Sequence, residues 1–345
     1  MVLLNAQRLF IVAEKEFFDQ ISGKKFLALF FMMLVLAGVS VISEYNSYES
    51  EMEAYANSGS SYIDEYGTAH YGGATYNPSV VNIYHGIVSG LSGYIFGPLI
   101  AITAGFDLIT RERRSNSIKS ILSHPVYRDE LINGKALGGI AALGTATVCL
   151  FLIVTAALLI MSVVPSGSDI FSIILLFAFT VLYLTCIFTL ALMVSSLSKN
   201  SGSSLIYSLI LFIVFSYIAT IAAPIVTDLV VGPEPGNFDS GSSVFSDSGD
   251  LSSYYSNRDT VESTVEYFSI KNNYYCIGTA LTQPSFFWAF KGKGDGASGF
   301  YDYSKMGVDF WDILSKLWGN IIFLIAYPVV FFGIAYVKFM RMDLR

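Results

Sequence analysis

The chain has 345 residues, of which 53% are hydrophobic and 14% charged, with a formal net charge of −7. A soluble domain of this length carries about a quarter charged residues, so this deficit and a positive mean hydropathy place the chain in the membrane class. Nucleic acid is excluded as a partner, because no broad basic face exists outside one short loop.

Residues 8–22 have helical periodicity. Phe10, Ile11, Ala13, Phe17, Phe18 and Ile21 share one face, Lys15, Glu16, Asp19 and Gln20 lie opposite, and Val12 and Glu14 break the pattern. This predicts an amphipathic helix along the membrane surface. It is either a simple anchor, which periodicity alone favours, or an elbow that passes motion into the first span. No cleavable leader is expected, since no small-residue cleavage site follows the first apolar run.

Six runs lack Asp, Glu, Lys and Arg and are long enough to cross about 30 Å of hydrocarbon: 26–42, 87–106, 137–164, 170–194, 205–226 and 317–337. The first is the shortest and is expected to extend by a turn at either end. The positive-inside rule orients them. Arg8, Lys15, Lys24 and Lys25 precede span 1; Arg111, Arg113, Arg114, Lys119, Arg128 and Lys135 lie between spans 2 and 3; Lys199 follows span 4, and Lys338, Arg341 and Arg345 follow span 6. The connection 43–86 carries acids and no Lys or Arg, and in 227–316 acids outnumber bases. Both termini are therefore expected in the cytoplasm, with two large extracytoplasmic loops. In the second of these, 236–258 reads as a flexible low-complexity stretch, and 260–290 as material for a small outer subdomain.

Residues 107–135, DLITRERRSNSIKSILSHPVYRDELINGK, are the most informative stretch. Residues 107–122 read as a helix continuing span 2, stopped by Ser123-His124-Pro125 because Pro removes a donor and restricts the residue before it. A second helix starts at Arg128, with Asp129 and Glu130 in the first turn where the dipole favours acids. Two readings stand: a solvated positive-inside loop, or a helical hairpin whose apolar stripes dock onto something.

Elsewhere the signals are weaker. Pro98, Pro224 and Pro328 read as tolerated kinks or as hinges, and Gly90, Gly93 and Gly97 as a stripe for close helix packing. His70, His85 and Cys276 are expected outside as unrelated surface residues, Cys149 and Cys186 as small core residues, and no structural disulfide or metal site is expected. No ionisable residue within a span offers a proton relay.

The stretch 107–135 resembles the cytoplasmic signature of type-2 ABC transporter permeases: an aspartate ending span 2, a helix with an E-x-x-x-G-T-like pattern, then P-x-x-R-x-E-x-x-x-G-K. The matching residues are Asp107, Glu112, Pro125, Arg128, Glu130, Gly134 and Lys135. Ala13-Glu14-Lys15-Glu16-Phe17 resembles the family's elbow motif, and Arg341-Met342-Asp343-Leu344 its usual ending. Asn116-Ser117 replaces the family's Gly-Thr. Tyr127 stands where Ser or Thr is common, so the capping box with Glu130 is expected to be lost.

The resemblance implies an all-α membrane protein. Its parts are an elbow helix (1–25, with Lys15, Glu16 and Phe17), spans 1–5 (26–226) enclosing an outer loop (43–86) and a cytoplasmic coupling hairpin (107–136), an outer loop or small subdomain (227–316), and span 6 with a cytoplasmic tail (317–345). It further implies the permease subunit of an ATP-driven exporter in the plasma or inner membrane. Such a subunit pairs with a second permease copy, with membrane lipid around it and two copies of a separate ATPase. This chain would be no enzyme and would bind no cofactor of its own, with ATP and Mg used by the partner. Consistent with that division, Gly23-Lys24, Gly134-Lys135 and Gly292-Lys293 all fail the phosphate-loop pattern. The alternative is a non-transporting receptor or scaffold with large outer loops.

Overall fold

The computed structural model describes residues 2–57, 62–63, 69–70, 79–93, 96–115, 127–232, 248–284 and 310–341. These form helices α1 (Val2–Ile21), α2 (Lys24–Asn57), α3 (His85–Gly93), α4 (Phe96–Gly105), α5 (Thr110–Arg114), α6 (Arg128–Ile160), α7 (Gly167–Leu197), α8 (Ser201–Ile213), α9 (Ala219–Val231), α10 (Ser248–Glu266), α11 (Ile270–Thr282) and α12 (Phe310–Met340). A two-residue antiparallel ribbon pairs Tyr62 with His70 and Ile63 with Ala69.

Among the described residues, five helices are long and apolar enough to cross a bilayer: Lys24–Glu53, Arg128–Ile160, Asp169–Leu197, Ser201–Val231 and Ser315–Met340. Val81–Gly93 and Gly97–Arg114 pass the same test jointly with a 54° bend between them; counted as one broken span, they bring the number to six. The second predicted run is thus bent rather than straight. Pro98 stands in the first turn of α4, a position that needs no intrahelical N–H bond. Of the glycine stripe, Gly90 packs on Ala37 and Ser40 of α2, Gly93 faces open space, and Gly97 faces Leu91.

Helix α7 forms the centre of the bundle. Tyr183, Leu184, Ile187, Phe188, Ala191 and Leu192 are all buried, and α4, α6, α8, α11 and α12 pack around it. Helix α7 starts cleanly because Ser166 and Asp169 form a reciprocal capping box, with Ser166 N–H donating to Asp169 Oδ2 at 2.9 Å. Span 5 is not a uniform α-helix: a π-helical turn, Val214–Ile218, joins α8 to α9.

Several helices pass the limits that apolar runs imply. Helix α2 has 34 residues, a length of about 50 Å. Its last turns therefore continue through the acidic stretch expected to open the outer loop; no Gly or Pro interrupts residues 43–57. Helix α6 is continuous from Arg128 into span 3, so the second arm expected of the hairpin is the first two turns of the span itself.

Of residues 236–258, read from composition as flexible, 236–247 lie outside the described residues and 248–258 form the first half of α10. Within the expected outer subdomain, α11 packs against α3, α7 and α12, burying Ile270, Tyr274, Ile277 and Ala280. His85, expected on the surface, is buried; its Nδ1 lies 3.1 Å from Thr282 Oγ1, and its ring meets Tyr275 edge to face.

Candidate functional site: an ion-paired junction of elbow, connection and span 3

Helix α1 lies along the start of α6 with backbones almost touching. Gly134 and Gly138, one turn apart, make this approach feasible. A Cβ on Gly134 would stand 2.8 Å from the Val12 side chain, and one on Gly138 2.5 Å from the Ala13 carbonyl oxygen. Small residues at this spacing flatten a helix face. The face of α1 turned inward is consequently Leu9, Val12, Ala13 and Glu16. This corrects the periodicity, which assigns Glu16 to the polar side and Val12 to no face. Phe10, Ile11 and Phe18 remain exposed, as expected of a helix lying on a membrane surface.

The rotation buries Glu16 where Lys135 of α6 can reach it. Lys135 Nζ lies 2.8 Å from Glu16 Oε2 and 2.8 Å from Glu112 Oε1, the latter on α5. The side chains are 4%, 6% and 13% exposed for Lys135, Glu16 and Glu112. Three segments far apart in sequence thus meet at one ammonium. Attraction in such a dry site offsets desolvation only while every partner is present. Gln20 extends the junction: its amide donates to the Ala104 carbonyl at 2.8 Å and to Glu16 Oε1 at 3.4 Å.

The link between α4 and α5 is stitched by hydroxyls. Residues 106–109 form a turn, correcting the expectation of one unbroken helix from Asp107. The backbone N–H groups of Ile109 and Thr110 donate instead to Ser195 Oγ of α7, at 3.1 and 3.3 Å. Ser204 of α8 donates to the Phe106 carbonyl at 2.6 Å, and Thr110 Oγ1 lies 3.1 Å from Ser201 Oγ.

The other sequence-selected residues surround this junction or lie outside it. Glu130 Oε2 accepts from Tyr127 N–H at 3.0 Å, so half of the capping box survives; the Tyr127 side chain makes no cap bond. Arg128 Nη1 donates to the Met340 carbonyl at 3.2 Å, joining the start of span 3 to the end of span 6. Asp107 lies within electrostatic reach of Arg111, Lys25 and Glu16. Phe17 packs edge to face on Phe18, and Lys15 is exposed. Pro125, Asn116, Ser117 and the 342–344 ending lie outside the described residues.

Sequence reasoning missed Ser195, Ser201 and Ser204; their signal is a run of serines, SSLSKNSGSS, around the short fourth connection. It also missed a polar seam between α11 and the spans. Asn320 of α12 donates to Asn273 Oδ1 at 2.9 Å, Asn273 to the Tyr267 carbonyl at 2.7 Å, and Ser269 to the Ser216 carbonyl of the π-turn at 2.7 Å. Tyr183 and Tyr274 stack at 4.3 Å, and Thr180 Oγ1 lies 3.0 Å from Tyr274 Oη.

A helical bundle with five to six apolar crossings and a buried ionic junction at one end defines a multi-pass membrane protein. Residues 10–344 match the family described as ABC-2 family transporter protein, and the chain belongs to that family. It is a membrane permease component of an ABC transporter, and permeases of this family work with an ABC ATPase partner. No curated protein matches the chain.

Proposed function

We propose that this chain is the membrane subunit of an ATP-driven exporter, in which the 107–136 region receives motion from a separate ATPase and passes it to the spans. The observation that carries this reading is the pairing of Lys135 with both Glu16 and Glu112. A push on the connection is felt at once by the elbow and by span 3, because all three are bound to one buried ammonium. Arg128, hydrogen-bonded to the last turn of α12, extends the path to span 6. The basic residues flanking the spans support cytoplasmic termini in a plasma or inner membrane. The working assembly on this reading is two permease copies with two ATPase copies, the partner using ATP and Mg.

The test is affinity purification of the tagged chain from its native membrane, with ATPase recovery and ATP hydrolysis measured. Co-purification of a phosphate-loop ATPase, reduced or uncoupled by Glu112→Lys with Arg128→Glu, is expected. A pull-down without ATPase, or full recovery and coupling after both reversals, contradicts the proposal.

A further inference from the structure

A polar pocket of about 370 Å³ opens between the end of α1, the start of α2 and the end of the bent second span. Lys24, Lys25 and Arg111 line it together with Asp19 and Asp107. None of these belongs to the Glu16–Lys135–Glu112 pairing. Lys24, Lys25, Arg111 and Asp19 are exposed, Asp107 is partly buried, and Lys25 Nζ stands 5.9 Å from the centroid of the Phe106 ring, which also lines the pocket.

Its position relative to the membrane follows from the crossings. Lys24 is the first residue of one candidate span, and Arg111 lies in the last turns of another. The pocket therefore sits at the depth of lipid headgroups. An apolar track leads from it towards the bilayer centre: Lys24, Leu27 and Phe31 share a helical face (i, i+3, i+7), with Leu27 48% and Phe31 68% exposed.

We infer that this pocket holds the headgroup of a zwitterionic aminophospholipid. The phosphodiester lies against Lys24, Lys25 and Arg111, and the primary ammonium lies against Asp19 and Asp107. The mixed charge selects this class. Asp107 already lies within reach of Arg111 and Lys25, so a purely anionic headgroup would compete with the carboxylates for the same cations, whereas an ethanolamine ammonium brings a donor of its own to them. A trimethylammonium headgroup has no N–H to donate. A free phosphate ester would leave the track of Leu27 and Phe31 unused. The inference rests only on the chain's spanning a membrane and does not depend on how an ATPase is coupled.

The test is native mass spectrometry of the detergent-purified protein with phosphatidylethanolamine, phosphatidylglycerol or phosphatidylcholine at equal concentration, and with O-phosphoethanolamine as the soluble headgroup. Phosphatidylethanolamine should give the highest retained occupancy, with O-phosphoethanolamine far below it. Lys25→Ala should lower that occupancy about fivefold, and Asp19→Lys should turn the preference towards phosphatidylglycerol. Asp19 is exposed, so the variant is expected to remain folded; Asp19→Asn, with a flattened preference expected, replaces it if elution is not monodisperse. Equal occupancy by the three lipids, or a preference unchanged by the Asp19 variants, overturns the inference. Occupancy by O-phosphoethanolamine equal to that by the lipid overturns the lipid assignment.

Discussion

Lys135 Nζ lies 2.8 Å from Glu16 Oε2 across 119 residues of chain, and both side chains are buried. The same ammonium also holds Glu112. Removing it leaves two carboxylates facing one another in a dry site, the costly way to break a buried ion pair. Lys135→Met should destabilise the protein by about 3–5 kcal/mol, read as a lower unfolding midpoint in detergent. Adding Glu16→Gln and Glu112→Gln should restore most of that loss, because the uncompensated charges are then gone.

The close approach of α1 to α6 gives a second prediction. A Cβ at position 138 would stand 2.5 Å from the Ala13 carbonyl oxygen, which is backbone and cannot turn aside. Gly138→Leu should therefore lift the elbow off span 3, at a cost of about 1–3 kcal/mol from overpacking. Limited proteolysis should then cut within 2–21 faster than in the parent. Gly144→Leu serves as a control, since a Cβ there meets nothing within 4 Å.

At the end of the second span, Ser195 accepts the N–H groups of Ile109 and Thr110. Ser195→Ala leaves two buried donors without that acceptor, at a cost of about 1–3 kcal/mol for the unsatisfied groups. Hydrogen exchange should speed up at residues 106–111, while the centre of α7 stays protected.

The polar seam gives a fourth prediction. Asn320→Leu leaves Asn273 Oδ1 without the donor it has at 2.9 Å. A membrane-embedded hydrogen bond of this kind contributes about 0.6 kcal/mol, rising to about 1.7. The single variant should lower the unfolding midpoint measurably, and the Asn273→Leu/Asn320→Leu pair by less than the sum of the two singles.

Much of this architecture is legible in the sequence, because long uncharged runs have few alternatives to crossing a membrane. Helix ends are not, since apolar content stops at the membrane edge whereas the backbone does not: α2 runs on through Glu44, Glu49 and Glu51 while no breaker intervenes. The members of the ionic junction, Glu16, Glu112 and Lys135, all fall within the family-like motifs. Their meeting was not legible, because a two-sided view of α1 puts Glu16 in solvent. Its burial depends on Gly134 and Gly138, on another helix more than 100 residues away. The apolar and aromatic content of 260–290 marks it as material that packs, but not where: Ile270, Tyr274 and Ile277 of α11 are buried against the spans, and no local pattern names those partners.

The central claim is that the junction transmits ATPase motion to the spans. The most direct measurement is the electron–electron distance between spin labels at Ile160 and Val230, exposed ends of spans 3 and 5, in the complex with its ATPase. The parent and the charge-neutral triple variant (Lys135→Met, Glu16→Gln, Glu112→Gln) are compared with and without ATP and vanadate. The account predicts a nucleotide-driven distance change in the parent that disappears in the triple variant while ATP hydrolysis persists. An equal change in both proteins would contradict it.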